Sequence, residues 1–263
     1  MKSIDEHFSE LAFQYNDMRT TDAGPIEYIK TLLSNYETCL GIDVGCGPGR
    51  YSRLLLKMVP QLHLICIDRN QNMLAETTRL LQPANIPRFK CVLADAGKFP
   101  LESNSIDVVF TFNAIHHFTI PAFLKEAQRV LKKDGTIAIY TRLLSQNETS
   151  IWGKYFPDFT KLERRLHSLD SIEAAVRNIP GLTLDTIKLF QFDRVSSLES
   201  LIERARAGHY STFNLYEEKH LESSIANFRD RISSDFSDLE KIRWTDGNVL
   251  VIVKPCNPTT PKN

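Results

Sequence analysis

Between positions 38 and 140, short apolar runs alternate with amphipathic stretches. The runs fall at 39–44, 62–67, 89–93, 106–112 and 136–140. Each has the length of a strand, and most are rich in β-branched or aromatic residues. The stretches between them carry helical periodicity. Leu54, Leu55 and Met58 share one face of 51–59, and Met73, Leu74, Thr77 and Leu81 share one face of 71–81. Phe123, Leu124, Ala127, Val130 and Leu131 do the same over 121–131, where Lys132-Lys133-Asp134-Gly135 predicts a glycine stop. The link between the third and fourth runs has no helical period. Strands alternating with helices predict a parallel sheet covered on both faces.

The flanks differ. Phe8, Leu11, Ala12 and Tyr15, then Ile26, Ile29, Leu32 and Leu33, predict two short helices broken near 22–25, where Pro25 suits a helix start. After Tyr140 comes a polar stretch at 143–154, then aromatic residues at Tyr155, Phe156 and Phe159. A helix is expected at 171–177, a long strand at 182–192, charged helices over 197–240, a final strand at 248–253 and a frayed tail at 255–263.

Composition narrows the function. The 263 residues are 42% hydrophobic and 24% charged, which suits one α/β domain with an appendage. Acids and bases balance at 32 each, so bulk charge lacks the basic footprint of a nucleic-acid binder. Lys132-Lys133 and Arg164-Arg165 read as solvated faces. No apolar run reaches the ~18 residues of a membrane span. The first residues lack the apolar core of a signal peptide. The five cysteines, at 39, 46, 66, 91 and 256, are odd in number and none are spaced C-x-x-C. That pattern predicts a reducing cytoplasm rather than disulfides or a zinc site, with Cys39, Cys66 and Cys91 as small core residues.

The candidate chemistry begins at Asp43-Val-Gly-Cys-Gly-Pro-Gly49, where a strand meets three glycines and then a helix. Glycine allows positive φ and close backbone approach, and the helix directs its free N–H groups at the loop. Dinucleotide enzymes use G-x-G-x-x-G. Here the spacing is G-x-G-x-G, the sixth position is Arg50, and Asp43 precedes the first glycine by two. Asp68 ends the second strand, where a carboxylate can accept both hydroxyls of a ribose. The alternative is that Asp68 caps the next helix.

These residues resemble the motifs of the class I, Rossmann-like, S-adenosylmethionine-dependent methyltransferases, specifically the type 11 group that includes ubiquinone- and menaquinone-pathway enzymes. Asp43–Gly49 is similar to the first motif, and Ile67-Asp-Arg-Asn-Gln-Asn-Met-Leu74 to the second. Leu93-Ala-Asp-Ala96, Phe99-Pro-Leu101 and Ser105-Ile-Asp-Val-Val109 match the third and fourth, and Arg129–Thr136 resembles the fifth. The resemblance implies a doubly wound, mostly parallel, seven-stranded α/β sheet with N-terminal helices and a helical insert before the last strand. It implies an N-terminal helical lid at 1–37, a cofactor-binding core at 38–140, and the remainder of the core with an acceptor-side segment at 141–196. A helical insert at 197–243, the last strand at 244–254 and a tail at 255–263 would follow.

The resemblance also implies residue roles. Gly45, Gly47 and Gly49 would shape the methionine pocket, with Asp43 supporting the loop and Asp68 on the ribose. Asp95 would hold the adenine amino group, and Ala96 would offer its backbone to the ring. Asn113 would line the methionyl end, and Arg69 and Met73 would border the adenine. Arg19, in a Tyr-x-x-x-Arg element, would pair with the cofactor carboxylate or lie on the surface.

Transfer from a sulfonium needs placement first, and a base only if the acceptor must lose a proton. His116 and His117 follow the fourth strand at the rim, as a general base or as loop hydrogen-bonding residues. His209 and Tyr210 are weaker candidates. Trp152, Tyr155, Phe156 and Phe159 read as packing, with an acceptor pocket as the alternative. Asp107 is expected to be buried and to orient backbone. The expected acceptor is a small molecule, methylated on O, N or C, with no nucleic acid or membrane span. A protein or RNA methyltransferase and a non-enzymatic cofactor binder remain open, and a nicotinamide oxidoreductase is disfavoured by the loop spacing.

Overall fold

The computed structural model describes residues 20–84 and 88–256. Its elements are α1 (Gly24–Leu32), β1 (Cys39–Val44), α2 (Arg50–Met58), β2 (Leu62–Asp68), α3 (Gln71–Leu81), β3 (Phe89–Leu93), β4 (Ile106–Phe112), α4 (Ile120–Val130) and β5 (Leu131–Thr141). There follow α5 (Leu144–Thr149), α6 (Ile151–Tyr155), α7 (Phe159–Leu162), α8 (Leu169–Arg177), β6 (Leu182–Ser196), α9 (Leu198–Arg206), α10 (Glu218–Asp235) and β7 (Ile242–Pro255). The first expected helix, around Phe8–Tyr15, lies outside the described residues, as does Arg19.

The seven strands lie in the order β3-β2-β1-β4-β5-β7-β6. The β1–β2, β2–β3, β1–β4 and β4–β5 pairs are parallel, and β5–β7 is antiparallel. From β1 the chain steps outward to β2 and β3, then returns to the other side of β1 as β4. Right-handed crossovers therefore place the helices of the two halves on opposite faces. They also leave a crevice where the carboxyl ends of β1 and β4 diverge. Every residue of β4 is buried, as expected for a central strand covered on both sides. No helix joins β3 to β4, in line with the missing helical period there.

Asp107 sits on β4 as a structural acid. Its two oxygens accept from the Leu40 N–H and the Lys132 ammonium, both at 2.8 Å, tying β4 to β1 and β5. Two expectations are corrected here. Residues 132–135 do not form a glycine-stopped helix end: α4 ends at Val130 and β5 begins at once, with a register shift opposite Ile106–Val108. Gly135 serves close approach instead, since a Cβ there would lie 2.9 Å from the Asp107 carbonyl. Arg165 is not on a solvated face; its side chain is 20% exposed and pairs with buried Glu163.

The chain forms two compact units, one comprising 20–84, 88–141, 169–188 and 249–256 of the described residues, the other 142–168 and 189–248. In unit 1, α1 packs on α2, α2 on α3, and α8 on α4. Unit 2 has its own aromatic core. Trp152 stacks on Phe228 with ring centroids 5.3 Å apart and meets Phe213 edge-on at 5.1 Å. Phe156, Phe159, Leu201 and Ile232 are buried in the same cluster. No helix of the described residues is long and apolar enough to cross a membrane.

Candidate cofactor site

β1 runs directly into the glycine loop. The N–H groups of Gly45 and Cys46 both donate to the Ile67 carbonyl, at 2.8 and 3.0 Å, which pins the loop to the end of β2. Gly45 and Gly47 have φ of +69° and +55°, a region that favours glycine. Their surroundings differ. A Cβ at Gly45 would come within 2.7 Å of the Ala114 Cβ, whereas one at Gly47 would meet nothing within 4 Å. Gly45 is therefore needed for packing, and Gly47 keeps open space above the loop.

That space belongs to a cavity of about 280 Å³. The structure brings most of the expected residues to its wall: Asp43, Gly45, Gly47, Asp68, Arg69, Met73, Asp95, Ala96, Asn113 and His117. Gly49 lies one step behind, as the left-handed residue before α2. His116 does not line the cavity, although its ring lies 4.1 Å from that of His117.

Three carboxylates define the polar part of this wall. Asp68 accepts from the Gly47 and Asn70 N–H groups, each at 2.9 Å. Burial raises its pKa, against the pull of those hydrogen bonds. Each carboxylate oxygen keeps a further lone pair for a ligand hydroxyl. Asp95 accepts from the Gly97 N–H at 2.8 Å, closing a tight turn after β3. Asp43 is 1% exposed and accepts from Ser52 Oγ at 2.6 Å, which joins β1 to α2 across the loop. Its Oδ1 is buried without a protein partner.

Burial pushes the Asp43 carboxyl up to about 7. A raised carboxyl binds a proton in the folded state that the unfolded chain has already released. Asp43 thus removes stability as pH rises from the ordinary carboxylate range towards 7. Asp43→Asn is expected to flatten the fall in melting temperature across that window; an identical slope in wild type and variant would contradict this.

The helix after Asp68 is capped by another residue. Asn70 Oδ1 accepts from the Asn72 and Met73 N–H groups at 2.9 and 3.2 Å, which frees Asp68 from that task. An asparagine three residues before the first apolar position of α3 is a readable cap signal. Sequence reasoning also missed Phe118, Thr119 and Ala122 in the wall, because they follow a one-turn 3-10 segment, Ile115–His117, that has no local signature. Asn113 sits at φ +52°, where asparagine is tolerated better than most residues, and its N–H donates to the Tyr140 carbonyl at 2.7 Å. His209 and Tyr210 lie in unit 2, with rings 4.6 Å apart.

A parallel sheet with a glycine loop, a following helix and strand-end carboxylates defines a nucleoside-binding α/β domain. Residues 42–139 match the methyltransferase domain family. This segment is a methyltransferase domain similar to those of the class I enzymes, whose cofactor is S-adenosylmethionine. A mouse tRNA (carboxymethyluridine(34)-5-O)-methyltransferase is 29% identical over 59% of this chain, a match that spans 22% of the mouse protein's length. A malonyl-[acyl-carrier protein] O-methyltransferase of Marinomonas is 25% identical over 76% of this chain and 75% of its own. Among solved structures, the YcgJ protein of Bacillus subtilis shares the fold with a TM-score of 0.62 at 16% identity, covering 90% of this chain and all of that one (100%). A geranyl diphosphate methyltransferase solved with S-adenosylmethionine has a TM-score of 0.55 at 14% identity, over 89% of this chain and 85% of its own.

The residues present fit this cofactor. Gly47 leaves room where any side chain would intrude, and the partnerless Asp43 oxygen offers an unused polar atom on the cavity wall.

Proposed function

We propose that the chain transfers the methyl group of S-adenosylmethionine to a small-molecule acceptor. The observation that carries this reading is a cavity lined by carboxylates from three neighbouring strand ends together with the glycine loop. Asp68 takes the ribose hydroxyls. Asp95, Ala96, Arg69 and Met73 border the adenine. Gly45, Gly47, Gly49 and Asn113 shape the methionyl end, and Asp43 supports the loop through Ser52.

The bound cofactor supplies an activated sulfonium leaving group, so the protein's main task is alignment, which can contribute roughly 7–11 kcal/mol of barrier reduction. His117, in the cavity wall, removes the acceptor proton where one must leave, and His116 supports its ring. The balanced charge, which lacks the basic footprint of a nucleic-acid binder, supports a small acceptor. The five thiols, none in a disulfide, suit a cytoplasmic setting.

Incubation with cell extract and methyl-labelled cofactor tests this reading. Label is expected in the dialysable fraction. His117→Ala is expected to lose about a hundredfold in turnover while affecting cofactor affinity far less. Label on protein or RNA alone would overturn the small-molecule reading, and unchanged turnover would remove His117 from the chemistry.

A further inference from the structure

Gly47 is held differently from its neighbours in the glycine loop. The Gly45 and Cys46 N–H groups rest on main chain, at the Ile67 carbonyl. Among the described residues, Gly47 is tied through side chains instead. Its N–H donates to Asp68 Oδ2 at 2.9 Å, and its carbonyl accepts from Thr77 Oγ1 at 2.7 Å. Cys46 Sγ approaches the same carbonyl at 3.5 Å, a weaker contact.

These two bonds govern a soft point in the chain. Gly47 has a positive φ of +55° and no Cβ, so the peptides on either side of it rotate with little steric resistance. Asp68 fixes the peptide between Cys46 and Gly47. The peptide between Gly47 and Pro48 has no N–H, because proline lacks one. Its carbonyl is the only polar handle on that peptide, and Thr77 holds it.

Thr77 lies on α3, is fully buried and does not line the cavity that Gly47 and Pro48 line. The bond therefore lies behind the loop. Thr77 also meets the third glycine, since a Cβ at Gly49 would come within 2.9 Å of the Thr77 methyl. Its hydroxyl and its methyl thus serve two different glycines. Valine would keep the methyl contact and lose the bond, whereas serine would keep the bond and lose the methyl.

We infer that Thr77 is a positioning residue for the cofactor: by fixing the Gly47 carbonyl behind the loop, it keeps the Gly47 N–H on Asp68 and so aims that carboxylate at the ribose hydroxyls. The inference rests on the cofactor reading of Asp68 and the loop. Thr77 stands outside the cavity wall, so its influence passes through Gly47 and Asp68.

Calorimetry with adenosylhomocysteine, together with amide hydrogen exchange on the empty full-length chain, tests this role. Thr77→Val is expected to weaken binding roughly five- to tenfold, as loss of one hydrogen bond would. In the empty protein its Gly47 N–H should exchange faster, because the loop opens more easily. Thr77→Ser should bind close to wild type, although it loses a buried methyl. Thr77→Ala should bind more weakly than Thr77→Ser, which repeats the comparison without a buried valine. Thr78→Val is the control: the Thr78 hydroxyl donates to the Leu74 carbonyl at 2.9 Å, within α3, and its affinity should match wild type. Wild-type affinity in Thr77→Val, equal weakening in the serine and alanine variants, equal weakening in Thr78→Val, or unchanged Gly47 exchange in Thr77→Val would overturn the inference. The two readings fail separately. No adenosylhomocysteine binding by wild type would sink the cofactor reading, whereas wild-type binding with any of those results would sink the role of Thr77 alone.

Discussion

Asp68→Ala is expected to weaken adenosylhomocysteine binding by about a hundredfold or more, because hydrogen bonds to a charged group are worth roughly 1.5–3 kcal/mol each and a ribose offers two. The structure adds a second loss. Asp68 also accepts from Gly47 and Asn70, so its removal takes away one of the bonds that hold the glycine loop to the end of β2. Asp68→Asn keeps an acceptor for one of those N–H groups and should fall between wild type and Asp68→Ala. Calorimetry reads all three. If Asp68→Ala stayed within tenfold of wild type, the ribose assignment would be wrong.

Trp152→Ala is expected to cost about 3–5 kcal/mol of stability in urea unfolding, the usual range for deleting a large buried aromatic. Trp152 contacts Phe156, Phe159, Phe213 and Phe228, and the cavity left by its removal has rigid neighbours on several sides. The same variant separates packing from ligand recognition. All residues lining the cofactor cavity lie in unit 1, so adenosylhomocysteine affinity should persist wherever the variant remains folded. A near-wild-type midpoint with lost acceptor turnover would reverse the assignment and make Trp152 part of an acceptor pocket.

The central sheet was legible because its signals are local. Apolar runs bounded by amphipathic stretches mark β1 to β5, and the spacing of Gly45, Gly47 and Gly49 carries its own conformational demand. What escaped was set by distant contacts. Gly135 reads as a helix stop beside two lysines, yet its φ is not positive and its smallness answers to the Asp107 carbonyl across the sheet. Sequence does not distinguish a glycine needed for its dihedral from one needed for its size. Arg164-Arg165 reads as exposed charge, but Glu163 two residues earlier and Ser211 far along the chain both accept from Arg165. Asn70 was within reach, as a helix cap of the usual type placed just ahead of the first apolar residue. Within the site, carboxylates after strands were readable, while the apolar wall at Phe118–Ala122 depended on how the chain turns after β4.

The ligand held by the glycine loop decides what the protein does. Titration calorimetry of the wild-type chain with adenosylhomocysteine, and in parallel with NAD and NADP, measures that directly. Saturable one-to-one binding of adenosylhomocysteine is expected, with no comparable binding of either dinucleotide. Absence of adenosylhomocysteine binding, or a dinucleotide bound more tightly, would contradict it.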